Sequence, residues 1–473
     1  MPVTSSLCLM AQLVRERKIS PVELVEAHLR QIENVNPTLN AFVVTLAEQA
    51  RVAAKKAEAA LMREEASGLL HGVPVTVKDS FDMAGLPTYC GSRFRQGHRA
   101  AQDSTAVRRL RQHGAINLGK TNCPEFLANY ETDNHLTGRT NNPWNPDLTA
   151  GGSSGGEAAA IAAYCSAGGI GSDGGGSVRI PAAFCGIAGL KPTPGRVSAA
   201  GHFPEIAHPG GLLGVAGPMA RTAADVKLLF AALSGHDDQD PFSAPVPLRP
   251  MSTQGLRVGV WPQFYDVPVD PEVRAVVEKA AAVLNDLRIP AEPFEPKGLE
   301  RATEIWWFFF GKVPAPFTRA VVVGREDDAH WTGLELFNMV KHEPEPTGAQ
   351  IVTNLAIRDK MRAALLRHME EVPVLLMPVC GTVAWPHRTR SFGTDGRPIG
   401  LLEAMSPVTP WNLLGMPGMA IPFGMHSSGV PIGIQLVGRP WEEELLLELA
   451  EELEQARGPF AGPVILPRYP RGY

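Results

Sequence analysis

Residues 72–79, Gly-Val-Pro-Val-Thr-Val-Lys-Asp, decide the fold class. The run is short, apolar and β-branched, and it reads as a buried strand that carries Lys78 at its end. A helix is expected around residues 103–113, and Ile116-Asn-Leu-Gly-Lys120 then reads as a second strand. Strand, helix and strand in succession are the unit of an α/β protein.

The same texture extends in both directions. Toward the N-terminus, Ser20-Pro21-Val22-Glu23 is a helix start: Ser20 can accept from the Glu23 amide, Pro21 suits the first helical position and Glu23 can reach back. Val22, Val25, Leu29 and Ile32 follow as one apolar stripe. Residues 46–66 read as a second, more charged helix, ended by Gly68. Toward the C-terminus, two Gly/Ser clusters flank an Ala-rich helical stretch from Glu157 to Cys165, and a helix from about Ala223 to Leu233 follows. Four prolines between Gly235 and Pro250 mark an extended connection. Leu256–Trp261 is an expected strand. Asp270-Pro271 starts a helix with Val273, Val276, Val277, Ala280 and Leu284 on one face, and residues 289–294 are a returning strand. Residues 298–345 read as aromatic-rich and irregular. Strands are expected at 374–379 and 432–437, and an acidic helix from Glu442 to Arg457. With no internal repeat, the pattern implies one α/β unit around a large, at least partly parallel sheet.

Composition narrows the functional class. The 473 residues carry 44 Lys+Arg against 49 Asp+Glu, a net charge of -5, which leaves no basic excess for a nucleic-acid stripe. Gly (47) and Pro (42) are numerous, as expected of a chain with many loops. The six cysteines, at 8, 90, 123, 165, 185 and 380, form no CxxC, so neither disulfides nor a zinc site is expected. No apolar run is long enough to span a membrane, and the N-terminus lacks the pattern of a signal peptide. A reducing cytoplasm is the expected location.

Chemistry concentrates in Ala150-Gly-Gly-Ser153-Ser154-Gly-Gly-Glu157 and Gly171-Ser-Asp-Gly-Gly-Gly-Ser177-Val-Arg-Ile-Pro181. An isolated Gly-rich loop usually only turns the chain. Two such clusters, whose serines at 153 and 177 lie 24 residues apart, suggest more. Residues 174–177 have the composition to aim several backbone amides at one oxygen, which an oxyanion hole requires. A phosphate-binding loop is excluded because neither cluster contains the Gly-Lys pair. Gly151–Gly155 matches GxSxG literally, but no hydrophobic strand precedes it, as a nucleophile elbow requires. None of the 13 histidines stands in a context that marks it as a base. Lys78, at the end of an apolar strand, is the better candidate, since desolvation would lower its pKa. Spacing alone does not link it to Ser153 and Ser177.

The stretch GGSSGGEAAAIAAYCSAGGIGSDGGGSVRIPAAFCGIAGLKPT (151–193) strongly resembles the signature of the amidase signature hydrolases. GVPVTVKD (72–79), GRTNNPWNP (138–146), WNLLGMPGMAIPFG (411–424) and GVPIGIQLVGRPWEEELLLELAEELE (429–454) resemble further blocks of that family. Together they cover most of residues 20–235 and 405–455. The resemblance implies an α/β/α sandwich around one large twisted mixed sheet, formed by a single domain over 1–473. Its signature core would span about 70–235, a variable specificity segment about 240–400 and a C-terminal block about 405–457. It also implies a cofactor-free, metal-free amidase with a Ser–cisSer–Lys triad. Ser177 matches the nucleophile, Ser153 the bridging residue after a cis Gly152–Ser153 peptide, and Lys78 the base. The amides of Gly174, Gly175, Gly176 and Ser177 match the oxyanion hole, while Ser154, Asp173, Arg179 and Gly152 match supporting positions. Gly174 departs from the family, where a bulkier or β-branched residue is common.

The expected reaction is hydrolysis of an amide C–N bond through an acyl-enzyme, on a hydrophobic or aryl substrate. Carbamate (urethane) or ester hydrolysis by the same triad is one alternative. The A subunit of glutamyl-tRNA amidotransferase is another, disfavoured because the segment after Thr193 does not look like the corresponding stretch of that protein. Tyr130, Trp306, Phe309 and Phe310 are candidate substrate-binding residues, with Trp307, Phe317 and Trp331 as further aromatics of the same region. Cys123, in TNCPEF, is placed beside them as a small buried neighbour and not as a second nucleophile. The expected partner is a small amide, ester or carbamate, with no nucleic acid and no membrane, bound by a monomer or homodimer.

Overall fold

A computed structural model describes residues 2–206 and 210–464. Its strands are β1 (Phe42–Thr45), β2 (Pro74–Lys78), β3 (Ile116–Thr121), β4 (Gly168–Asp173), β5 (Ala188–Lys191), β6 (Val215–Ala220), β7 (Val258–Val260), β8 (Ala291–Pro293), β9 (Val374–Pro378), β10 (Ser391–Phe392), β11 (Ile399–Gly400), β12 (Gly418–Met425) and β13 (Pro431–Val437). Eleven of them form one sheet in the order β1-β3-β2-β4-β6-β5-β12-β13-β9-β7-β8, while β10 and β11 pair separately. The sheet is mixed. β3, β2 and β4 run parallel, as do β9, β7 and β8, and the strands between these two groups pair antiparallel.

Both faces of the sheet are apolar because helices cover both. Along β9, Val374 and Leu376 enter one hydrophobic cluster, and Leu375 and Met377 the other. The alternation in β2 matters most for function. Val75 and Val77 point into one cluster, which leaves Thr76 and Lys78 on the opposite face, also fully buried. The helix Pro21–Leu39 begins with the expected reciprocal cap between Ser20 and Glu23, and the helix Ala223–Leu233 has the expected bounds.

Residues 298–345 depart from expectation. They are mostly helical: Ala302–Trp307, a π-turn over Phe308–Lys312, Ala315–Val322 and Trp331–Val340. Aromatics on several sides of short, packed helices conceal the 3.6-residue period that would betray a one-sided helix. A 21-residue helix, Gly348–His368, capped by Thr347 and Gln350, occupies a stretch that the sequence pattern leaves without an expected element. Among the described residues no helix is long and apolar enough to cross a membrane.

Candidate active site

The site lies at the carboxyl ends of the parallel neighbours β2 and β4, the usual place for ligands in α/β sheets. β2 ends in Lys78. β4 ends in Asp173, from which the chain runs through Gly174–Ser177 into the helix Arg179–Cys185. Ser153 and Ser154 come from the segment that enters the helix Gly155–Ala162, after a cis Gly152–Ser153 peptide.

These elements gather hydroxyls around one amine. Lys78 Nζ lies 2.7 Å from Ser153 Oγ, 2.9 Å from Ser154 Oγ and 3.1 Å from Ser172 Oγ. The lysine is fully buried, and among the described residues no carboxylate forms an ion pair with it. Burial therefore lowers its pKa to about 8, against a partial offset from Cys123, Cys90, Asp173 and Glu157. Ser154 Oγ donates in turn to the Ser172 carbonyl at 3.3 Å, and its N–H donates to the Ser177 carbonyl at 3.2 Å, so the amine and the loop carrying Ser177 share one support. The hydroxyls of Thr76, on the same face of β2, and of Thr121, at the end of β3, donate to Glu157 at 2.5 and 2.6 Å. Burial raises the pKa of Glu157 to about 7, despite those hydrogen bonds.

The loop carrying Ser177 is anchored through Asp173. Its carboxylate accepts from the amides of Gly176 (2.7 Å) and Val178 (3.1 Å) and from the Arg179 guanidinium (2.9 and 3.0 Å). Burial alone would push this carboxyl up. Arg179, together with Lys191 and the Asn412 amide, holds it well below the ordinary carboxylate range. Of the four amides expected to form an oxyanion cradle, that of Gly176 is thus committed to Asp173, whereas those of Gly174, Gly175 and Ser177 have no acceptor among the described residues. Gly176 has φ 111°, and a Cβ there would meet Ile180 at 2.7 Å and Val408 at 2.8 Å, so only glycine fits.

Ser153, Ser172, Gly174 and Ser177 open onto a cavity of about 400 Å³. Phe126, Leu127, Phe203, Ile206, Phe310, Phe317, Val321, Leu336 and Phe337 supply most of its wall. Of the aromatic candidates, Phe310 and Phe317 line it. Tyr130 and Trp306 do not: both are buried behind the loop, where Tyr130 Oη donates to the Gly175 carbonyl (3.0 Å) and Trp306 Nε1 to the Gly174 carbonyl (2.9 Å). Phe309 faces an adjacent hollow, Trp331 donates to Asp133 (3.3 Å), and Cys123 is fully buried away from the wall.

Two supporting residues went unread in the sequence. Asn412 donates to the Asp173 carbonyl and to Oδ1, both at 2.9 Å, and accepts from Arg179 (2.6 Å); Gln435 Oε1 accepts from Arg179 at 2.6 Å. Gln435 had a signal, as the one polar side chain in the apolar strand Pro431–Val437. The apolar wall residues had none, because nothing in their chemistry separates a cavity wall from a core.

Residues 23–447 match the Amidase family, and the match runs through the segment 240–400 that the quoted motifs leave uncovered. Indoleacetamide hydrolase of Bradyrhizobium diazoefficiens is 34% identical over 95% of this chain and 86% of its own length. The A subunit of glutamyl-tRNA(Gln) amidotransferase from Thermosynechococcus vestitus is 32% identical over 94% of this chain and 96% of its own. The crystal structure of a bacterial aryl acylamidase of the amidase signature family superposes with a TM-score of 0.86 at 28% identity, covering 96% of each chain. The chain belongs to the amidase signature family and is a hydrolase of carboxylic amide C–N bonds.

Proposed function

We propose that Ser177 is the nucleophile, Ser153 the proton bridge and Lys78 the base in the hydrolysis of an apolar, aryl-bearing amide. The observation that carries this reading is the 2.7 Å approach of Lys78 Nζ to Ser153 Oγ at the buried base of an apolar cavity. A neutral amine has two N–H bonds and one lone pair. With the N–H bonds directed to Ser154 and Ser172, the lone pair meets the Ser153 hydroxyl. Ser153 passes its proton to Lys78 and takes one from Ser177 as Ser177 Oγ bonds to the substrate carbonyl carbon. The oxyanion collects against the free amides of the cradle. The proton then returns through Ser153 to the departing nitrogen, the C–N bond breaks, and water repeats the cycle on the acyl-enzyme.

The wall supports the substrate class. Apolar side chains dominate it, and no lysine or arginine occurs among its described residues. Indoleacetamide and aryl acylamide, named for two of the relatives, both combine an aromatic group with an amide. A screen across anilides, aliphatic amides, esters and carbamates tests the reading. Aryl amides should turn over fastest, and Ser177→Ala should abolish hydrolysis; full activity of that variant overturns the triad. The likeness to the amidotransferase favours a second reading, as the amide-hydrolysing component of such a complex. Turnover of simple amides by the purified chain alone, insensitive to tRNA, excludes it.

A further inference from the structure

Trp306 meets the nucleophile loop from behind, out of reach of any substrate in the cavity. It is fully buried at the end of the helix Ala302–Trp307, and its indole N–H donates to the Gly174 carbonyl at 2.9 Å. In a trans peptide the carbonyl oxygen and the following N–H point in opposite directions. With the Gly174 oxygen drawn onto the indole, the Gly175 N–H is turned away from it, and that N–H has no acceptor among the described residues. The next peptide is held the same way, since Tyr130 Oη donates to the Gly175 carbonyl at 3.0 Å. The packing leaves little slack: a Cβ on Gly175 would stand 2.4 Å from Trp306 Cζ2 and 3.1 Å from Tyr130 Oη.

Gly174 completes the case. A glycine at this position gives the cradle backbone freedom that a β-branched residue would remove. Here Phe310 occupies the space, since a Cβ on Gly174 would lie 3.3 Å from Phe310 Cε2. The Phe310 ring is stacked on Trp306, with centroids 4.7 Å apart and planes 18° from parallel.

We propose that Trp306 is a positioning residue of the oxyanion cradle: its N–H fixes the Gly174–Gly175 peptide so that the Gly175 amide is presented to the substrate's carbonyl oxygen. Phe310, stacked on the indole, stands in for the side chain that Gly174 lacks. The proposal rests on the reading of Ser177 as nucleophile.

The test compares the parent enzyme with Trp306→Phe and with a protein carrying benzothienylalanine at 306, in which sulfur replaces the indole N–H within the same outline. Two probes accompany an anilide substrate. Phenylboronic acid adds to a serine hydroxyl to give a tetrahedral anion, whereas benzyl alcohol only occupies an apolar cavity. Losing a direct oxyanion donor costs about 10²- to 10³-fold in kcat, so loss of its orienting bond should cost about tenfold. Both variants should show that fall in kcat, a KM within twofold of the parent, boronate binding weakened by the same factor and unchanged binding of benzyl alcohol. The proposal is overturned if kcat and boronate affinity stay within twofold of the parent in the benzothienylalanine protein. It is equally overturned if benzyl alcohol binding falls alongside them, since that reports a collapsed cavity. Ser177→Ala, assayed in parallel, separates the two levels: if it retains hydrolysis, the reading of the nucleophile fails instead.

Discussion

Asp173 and Arg179 form an ion pair across the turn that carries Ser177, 2.9 Å from Oδ1 to Nη2 and wholly out of water. Each has further buried partners, Gly176 and Val178 on the acid and Gln435, Asn412 and the Val408 carbonyl on the base. Removing one member strands the other's charge, which typically costs about 3–5 kcal/mol. Asp173→Ala and Arg179→Met should each lose that much in urea unfolding. The double variant should lose clearly less than the sum, because neither charge is then stranded. Strict additivity would mean that the pair is not coupled.

The rate should depend on pH through Lys78. Its amine must be neutral to accept a proton, and burial has lowered its pKa to about 8. At pH 7 about a tenth of the enzyme then carries the free base, against about 0.03% for a lysine at its ordinary value. The profile of kcat/KM should rise about tenfold per pH unit below pH 7 and level off above pH 8. A flat profile from pH 5 to 8 contradicts a lysine base.

Stability should follow the same group with a definite sign. The folded pKa of Lys78 lies below that of the unfolded chain, so unfolding takes up a proton between about pH 8 and 10.5. Stability from this residue therefore rises with pH across that window. Melting curves of the parent and of Lys78→Met should differ in slope there, with the variant lacking this increment. Parallel curves would mean that the lysine remains charged when folded.

The sheet and the residues proposed as the triad drew attention in the sequence for different reasons. Val73, Val75 and Val77 announce a buried strand by residue type alone, and Lys78 follows from where that strand ends. Ser153, Ser177 and their glycines stood out as two Gly/Ser clusters, but only the family resemblance tied them to Lys78, and the reason for glycine at 176 is visible only in the fold. What stayed hidden depends on packing at long range. Trp306 and Tyr130 read as substrate contacts because aromatic residues suit both a wall and a support. Only the fold shows that their polar atoms face the Gly174 and Gly175 carbonyls. Asn412 lies 239 residues from Asp173, and no local pattern ties the two together.

Gly174 and Gly175 are neighbours with unequal tolerance. A methyl at 174 meets the edge of Phe310 at 3.3 Å, a contact the ring relieves by moving a few tenths of an ångström. A methyl at 175 meets Trp306 at 2.4 Å, and the indole is pinned by its own hydrogen bond. Gly174→Ala should keep kcat/KM for an anilide within about tenfold, while Gly175→Ala should lower it more than about a hundredfold, as a displaced oxyanion donor does. Equal effects at the two positions would show that the loop moves as one flexible piece.

Leu336 tests the wall itself. It lines the cavity from the helix Trp331–Val340, and it is 5% exposed. A cavity of about 400 Å³ leaves room for an aryl group beside the reacting amide. Leu336→Trp fills part of that room and leaves Lys78, Ser153 and Ser177 in place. A bulky anilide then competes with the new ring for the same space, so its KM should rise about tenfold or more, the scale of one buried apolar side chain. A small aliphatic amide needs only the mouth of the cradle and should keep both kcat and KM within about twofold. The measurement is the ratio of kcat/KM for the two substrates in parent and variant. If that ratio does not move, the aryl group binds elsewhere; if both substrates fail together, the substitution has disturbed the cradle and not the wall.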